Sequence, residues 1–550
     1  MKRLAILILF ISSYHAAVAQ SWQDTATIIN KLFDRYQPDR PGCQLTISRD
    51  DKIIFSKAWG SADIERNVPY TTETITEAGS ISKEFTAAAI LLLEKQGKLS
   101  LNDDVRNYLP ELPNYGPVIR LENLLHHTSG IREWADLAAM TGWPRTTRAY
   151  TNDDVFNFLC RQEKLNNIPG EEYIYSNSNY LLLTRIVEKV SGMTLPDFTK
   201  KYIFEPAGMT HTCWRDDFKK VVLNRGIAYW KTDNYYRINM PTESVYGPGG
   251  LLTTTEDLVK WASFYLSGKL GGPGLLKEQL TIKKLTGSGE THYAAGLVVD
   301  SLNGVQRVSH TGQTASYVGI VVNFPALKLS IAWLSNTSEF KSNLFDGVNK
   351  IEELFVKDNA NKIPGKSETA NLVLPVEKIK SYTGWYRFVK TNQGVNVSIK
   401  NDTLFYDNTP LFPTSSTEFV YRQSLIKFEG SNSFTLVTAD KRKLAFIHEK
   451  SADITPAYLN GFTGTYYSKE TDSHFSIILK DGKLMIEQNY LKDVVLLPTY
   501  RNGFNFYLNV DSNLNPILSN ILFEKNSNGN IINCKVSMSD ARGIKFEKVK

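Results

Sequence analysis

The residues with the clearest capacity for chemistry stand in Ala78-Gly79-Ser80-Ile81-Ser82-Lys83. Apolar spacing through Phe85, Ile90, Leu92 and Leu93 predicts a helix from this point that stops at Gly97, after Lys95. Residues three apart on a helix share a face, with Cβ atoms about 5–6 Å apart, so the Lys83 ammonium can reach the Ser80 hydroxyl. A reactive serine needs a base and a nearby positive field, and the first turn of a helix adds the positive end of its dipole. The chemistry this allows is attack on a carbonyl through a covalent serine intermediate. Ser-x-x-Lys alone is a weak signal, because a serine cap with a lysine one turn later suits any surface helix.

Two further segments give Ser80 a context. Glu172-Tyr173-Ile174-Tyr175-Ser176-Asn177-Ser178-Asn179-Tyr180 supplies Tyr-x-Asn at Tyr175 and Asn177, and His310-Thr311-Gly312 ends a strand and precedes Gln313. In this order and placement the three motifs resemble the serine β-lactamase and penicillin-recognising hydrolase family, most closely its class C β-lactamase, esterase and D-aminopeptidase branch. Leu99-Ser100-Leu101-Asn102-Asp103-Asp104, Leu124-Leu125-His126-His127-Thr128-Ser129-Gly130 and Gly247-Pro248-Gly249-Gly250-Leu251 look like that branch as well. The likeness covers residues 25 to 355.

The resemblance implies a role for each matching residue. Ser80 would be the acylated nucleophile and Lys83 its proton partner. Tyr175 would be a general base or acid, its phenolate favoured by the neighbouring ammonium. Asn177 would bond Lys83 and the substrate amide, and His310, Thr311 and Gly312 would line the substrate. The backbone N–H groups of Ser80 and Gln313 would hold the oxyanion, a term of about 2.7–4 kcal/mol per donor. Whether Lys83 or Tyr175 takes the first proton is left open.

One position departs from the pattern. Where β-lactamases and D,D-peptidases carry Lys-Thr-Gly, this chain has His310-Thr311-Gly312, and an unperturbed imidazole is mostly neutral at pH 7. That strand lacks a fixed cation for a substrate carboxylate, which disfavours penicillins and D-Ala-terminated peptides relative to esters, amides and D-amino acid amides. An arginine from another loop would restore the charge.

Other candidates are weaker. His126 and His127 are adjacent, so they do not face one ion, and no third ligand lies at usable spacing; no metal or other cofactor is implied. Gly365-Lys366-Ser367 resembles the end of a phosphate loop, but position 360 is Ala. Asp103-Asp104 and Asp153-Asp154 follow Asn and precede apolar runs, as capping residues do.

The elements that must position Ser80 follow from periodicity. Helical spacing at Ser21 to Tyr36 precedes alternating runs at Cys43–Ser48 and Lys52–Trp59 around Asp50-Asp51, a hairpin signature. Strand-like runs at His292–Val299, Val305–His310, Tyr317–Asn323 and Leu329–Ser335 precede a helix at Asn343 to Val356, while residues 100 to 290 read as mainly helical. An α+β domain follows: an antiparallel sheet built from both ends of this region, flanked by helices, plus a helical subdomain, which the resemblance makes β-lactamase/transpeptidase-like.

Beyond a polar segment the chain repeats. Tyr382-Thr383-Gly384-Trp385-Tyr386 recurs as Phe462-Thr463-Gly464-Thr465-Tyr466, and Ile399 to Leu404 recurs as Leu479 to Leu484, at one common offset. Pro413-Thr414 and Pro498-Thr499 continue the match with a longer loop. Rich in β-branched and aromatic residues with frequent turns, each unit is expected to be a small antiparallel β-barrel. The expected plan is a signal peptide at 1–19, a hydrolase domain at 20–356, a linker at 357–372, and barrel repeats at 373–453 and 454–550.

The leader reading rests on Lys2-Arg3, an apolar run from Leu4 to Ile11, and Ala17-Val18-Ala19 before Gln20. The run is too short to span a bilayer, so no stable membrane insertion is expected after cleavage. The 63 Lys and Arg against 57 Asp and Glu leave +6 over 550 residues, too weak and scattered for a nucleic-acid partner. Cys43, Cys160, Cys213 and Cys534 are spaced too irregularly for a zinc site or a disulfide scaffold and are read as buried thiols, with a Cys160–Cys213 pair open to an exported chain. The expectation is a bacterial periplasmic or secreted serine hydrolase acting through an acyl-enzyme on a small-molecule or peptide substrate: ester, amide, D-amino acid derivative or β-lactam. The alternative is a non-catalytic protein that holds a cell-wall peptide or glycan on the same fold. Oligomeric state stays open.

Overall fold

The computed structural model describes residues 23–145, 147–340, 343–356, 372–508 and 516–549. The expected leader and nearly all of the expected linker lie outside the described residues. The hairpin turns at Asp50 and Asp51, whose φ values of 50° and 62° suit a tight two-residue connection. Its strands, Cys43–Arg49 and Lys52–Trp59, join a six-stranded antiparallel sheet whose order continues through Leu329–Ser335, Tyr317–Phe324, Val305–Thr314 and Val298–Leu302. Strands from the two ends of the region therefore lie side by side, Cys43 opposite Ser335. Ile29 and Phe33, with Val348 and Ile351 of the helix Asp346–Phe355, cover one face. The helix Thr255–Leu266 packs on the other, where Thr46 and Thr255 share a 2.7 Å hydroxyl bond.

The expected strand at His292–Val299 is not formed; the strand is Val298–Leu302. Gly296, at φ +78°, breaks the extended run, and its Cα lies so close to the Lys83 carbonyl that a Cβ would stand 2.8 Å from it. The consecutive buried residues Tyr293 to Leu297 form a loop against the Ser80 helix. That helix, Ser82–Lys95, is buried almost all round, as befits one enclosed by neighbouring helices and by this loop.

Each repeat forms a nine-stranded antiparallel sheet. In the first, the edge strands Thr409–Pro410 and Phe412–Pro413 are separated only by the buried Leu411; in the second, Leu491–Val495 and Leu497–Pro498 flank the buried Leu496. Edges that are consecutive in sequence curl each sheet into a nearly closed barrel, which removes exposed edge strands. The repeat holds at the level of single bonds: Tyr386 Oη donates to Tyr382 O at 3.0 Å, and Tyr466 Oη to Phe462 O at 2.8 Å. The second barrel's core is continuous with that of the helical subdomain. The first has its own core.

All four thiols are unpaired, including Cys160 and Cys213. Cys43 and Cys534 are buried as expected, but Cys160 is only half-buried and Cys213 is exposed, on a two-residue strand paired to Leu251 and Leu252. Among the described residues no helix is long and apolar enough to cross a membrane.

Candidate active site

A short strand, Thr76–Glu77, delivers the chain to Ser80. It pairs with Leu252 and Thr253, and Ala78 N donates to Leu251 O at 2.8 Å. Glu77 is pinned by the buried Arg215, whose Nε donates to Oε2 at 2.8 Å. Gly79–Ile81 then forms one 3-10 turn that runs into the helix Ser82–Lys95. Ser82 closes the turn by donating to Gly79 O at 2.6 Å while accepting from Leu251 N at 3.0 Å.

Lys83, fully buried, points back along this turn. Its Nζ donates to Asn177 Oδ1 at 2.8 Å and to Pro248 O at 2.6 Å, and lies 3.0 Å from Ser80 Oγ. Tyr175 Oη donates to Ser80 Oγ at 2.8 Å. Asn177 opens the helix Asn177–Ser191, so Tyr175 and Asn177 flank its N-cap, Ser176. Burial pushes the Lys83 amine well below the ordinary lysine value of 10.5; Glu133 opposes this shift and Arg145 adds to it. Burial likewise holds the Tyr175 phenol well above 10, and the bond to Ser80 only partly offsets it. Desolvation thus acts against both the Lys83 ammonium and the Tyr175 phenolate, opposing the charge attraction expected to favour the phenolate.

The strand Val305–Thr314 passes directly over the Ser80 turn. A Cβ on Gly312 would stand 1.8 Å from Ala78 O, and one on Gly79, itself at φ +54°, 2.5 Å from Gln313 N. Both positions need glycine for this approach. The neighbouring strand pairs only with residues 305–309, so the edge at 310–314 faces Ser80.

His310 does not line the pocket beside Ser80. It shares the inward side of the strand with Gly312 and Thr314, where Tyr293 Oη meets its Nε2 at 3.1 Å, while Nδ1–H donates to Thr311 O at 2.6 Å. Burial, with Lys83 nearby, lowers its pKa to about 3, so the ring is neutral. Thr311 is exposed on the opposite side. His127, at φ +55°, accepts from Ser176 N at 3.1 Å and packs its ring 4.4 Å from Tyr175; it shapes the Tyr175 segment.

The pocket itself, about 190 Å³, is lined by Ser80, Asn177, Gln313 and Thr314, with Trp134, Arg145 and Glu243 opposite. Arg145 Nε donates to Glu243 Oε2 at 2.6 Å, and Nη2 donates both to Glu243 Oε1 and, at 3.3 Å, to Thr314 Oγ1. Sequence reasoning allowed for an arginine from another loop but not for the carboxylate that neutralises it. It also missed Glu133, whose sequence signal is no more than a charged pair, Arg132-Glu133, ahead of Trp134.

A helix-flanked antiparallel sheet with Ser-x-x-Lys at a helix start is the frame of a serine hydrolase. Residues 20–352 match the Beta-lactamase family model, more than half of the 550-residue chain. The chain belongs to the beta-lactamase family. It is similar to Penicillin-binding protein 4* of Bacillus subtilis, 25% identical over 430 residues, covering 73% of this chain and 91% of that protein. Among solved structures it resembles an octameric penicillin-binding protein homologue from Pyrococcus abyssi, with TM-score 0.55 and 24% identity over 77% of this chain and 99% of that one. It also resembles the D-amino acid amidase of Ochrobactrum anthropi, with TM-score 0.51 and 20% identity over 59% and 96%.

Proposed function

We propose that the chain is an exported bacterial serine hydrolase that forms an acyl-enzyme at Ser80 on ester or amide substrates and transfers the acyl group to water. The observation that carries this reading is the placement of Ser80 Oγ between Tyr175 Oη at 2.8 Å and Lys83 Nζ at 3.0 Å, facing a pocket. With Lys83 neutral, its two N–H bonds go to Asn177 and Pro248, and its lone pair takes the Ser80 hydroxyl proton. Ser80 Oγ then bonds the substrate carbonyl carbon, and the oxyanion is held by the N–H groups of Ser80 and Gln313. Tyr175 gives its proton to the leaving oxygen or nitrogen and regains one from Lys83. In deacylation water bonds the acyl carbon as its proton passes to Lys83, the acyl carbon–Ser80 Oγ bond breaks as Tyr175 gives its proton to Oγ, and Lys83 then reprotonates Tyr175.

Asn177 and Gln313 form the substrate-binding side, with Gly312 allowing the strand's close approach to the Ser80 turn and the buried His310 supporting the strand from behind. Substrate preference follows from charge. His310 is neutral and turned away, and Arg145 is already held by Glu243, so a substrate carboxylate must compete with a carboxylate of the protein. Esters, amides and D-amino acid amides suit this pocket better than penicillins. Hydrolysis of p-nitrophenyl acetate that disappears in Ser80→Ala supports the reading; undiminished turnover by folded Ser80→Ala, or none by the wild type on a panel of esters and D-amino acid amides, overturns it.

A further inference from the structure

We infer that the second barrel is a working part of the active site: its Ser539–Arg542 turn fixes Glu133, a positioning residue that sets Asn177 and, through it, Lys83. The inference rests on the reading of Ser80 given above. Glu133 is buried and outside the pocket, just ahead of the helix Trp134–Met140. Its Oε2 accepts from Asn177 N at 2.5 Å and its Oε1 from Asn177 Nδ2 at 3.1 Å. A carboxylate can only accept, and Lys83 Nζ donates to Asn177 Oδ1 at 2.8 Å. One orientation of the Asn177 amide satisfies both neighbours, and the flipped one sets N–H against the lysine and oxygen against the carboxylate. Glu133 thereby fixes which atom of Asn177 meets Lys83 and which remains for substrate.

What fixes Glu133 comes from the far end of the chain. Its N–H donates to Asp540 O at 3.0 Å. The Asp540 carbonyl also accepts from Asn166 Nδ2 at 2.8 Å, the Asp540 N–H donates to Asp136 Oδ2 at 2.8 Å, and Arg542 N donates to Asn166 Oδ1 at 2.9 Å. Arg132, next to Glu133, donates to Arg542 O at 2.9 Å and forms a buried ion pair with Glu470 of the same barrel. The barrel thus holds Arg132, Glu133 and Asp136 through Glu470, Asp540 and Arg542. Among the described residues that line the pocket, none belongs to either barrel, so the contribution is to geometry behind the site.

Glu133 is also the carboxylate among the groups facing Lys83. Arg145 is a fixed cation, His127 and His310 are kept neutral by burial, and the phenols of Tyr175 and Tyr180 are held protonated. Glu133 raises the Lys83 pKa, so removing its charge moves the acid limb of kcat/KM to lower pH, a shift that a loss of fold does not produce.

The test compares full-length Glu133→Gln, the double variant Asp136→Ala with Asn166→Ala, and their combination, on p-nitrophenyl acetate across pH. Glu133→Gln is expected to lower kcat at least about tenfold with little change in KM, with the acid limb moved down. Freeing the turn is expected to lower kcat in the same way. Because both act through Glu133, the combination falls little further than Glu133→Gln alone. Where the double variant does not fold, Asn166→Ala alone takes its place. Unchanged kcat and limb in folded Glu133→Gln, or losses that simply multiply in the combination, overturn the inference. Undiminished turnover by Ser80→Ala would instead overturn the reading of the site itself.

Discussion

Gly312→Ala isolates what the close crossing of strand and turn does for catalysis. A Cβ there would stand 1.8 Å from Ala78 O, against the 3.0 Å below which such contacts essentially do not occur, and 3.2 Å from Ser80 N. Strand and turn must therefore separate by more than 1 Å, and both partners are main chain, which cannot rotate out of the way. The separation occurs between the two N–H groups proposed to hold the oxyanion. Displacing a catalytic group by about 1 Å can cost about 10²-fold, and losing one oxyanion donor about 10²–10³-fold. We expect kcat for p-nitrophenyl acetate to fall about 10²–10³-fold, with a smaller change in KM. Gly274→Ala is the control: nothing lies within 4 Å of its Cβ position, inside the helix Pro273–Gln279, so activity should hold and melting temperature should hold or rise. Folded Gly312→Ala with kcat within about threefold of wild type would refute the reasoning.

Other consequences can be checked independently. Lys83 accepts the serine proton only as a neutral amine, and burial lowers its pKa; kcat/KM should rise as pH increases through that lowered value and level off well before 10.5, whereas a limb at 10.5 or above contradicts the assignment. Glu243→Gln removes the carboxylate that holds Arg145 and is expected to speed acylation by benzylpenicillin about tenfold, about 1.4 kcal/mol of transition-state stabilisation; an unchanged rate means that Arg145 does not meet the substrate. Glu470→Ala leaves Arg132 buried without its partner and should cost about 3–5 kcal/mol of stability, measured by urea unfolding; a loss below about 1 kcal/mol would place that ion pair among the weak ones.

Much of this fold was legible because its signals are local. Ser80 and Lys83 lie one helical turn apart, the Asp50-Asp51 hairpin is a two-residue turn, and the barrels repeat Tyr382-to-Tyr386 and Pro413 at nearly constant offsets that recur as equivalent bonds and edges. Tyr175 and Asn177 could be placed because the order of three motifs resembled one family. What stayed hidden is non-local or set by burial. Glu133 gains its meaning from Asn177 and from a main-chain carbonyl near the C-terminus. Arg145 gains its meaning from Glu243, almost a hundred residues on. The strand expected at His292–Val299 gave way to a loop because Gly296 must approach the Lys83 backbone. Burial around Lys83 and Tyr175 was hidden for a related reason: spacing conveys that two groups meet, but not how dry their surroundings are.

The central claim is that Ser80 is a nucleophile made reactive by Lys83 and Tyr175, and covalent capture tests it most directly. Intact full-length protein is treated with a fluorophosphonate, digested, and its peptides are mapped by mass spectrometry. The expected result is a single phosphonylated site at Ser80, absent from Ser80→Ala and strongly slowed in Lys83→Met. Folded wild-type protein that stays unmodified at Ser80, or equal labelling in Ser80→Ala, would contradict it.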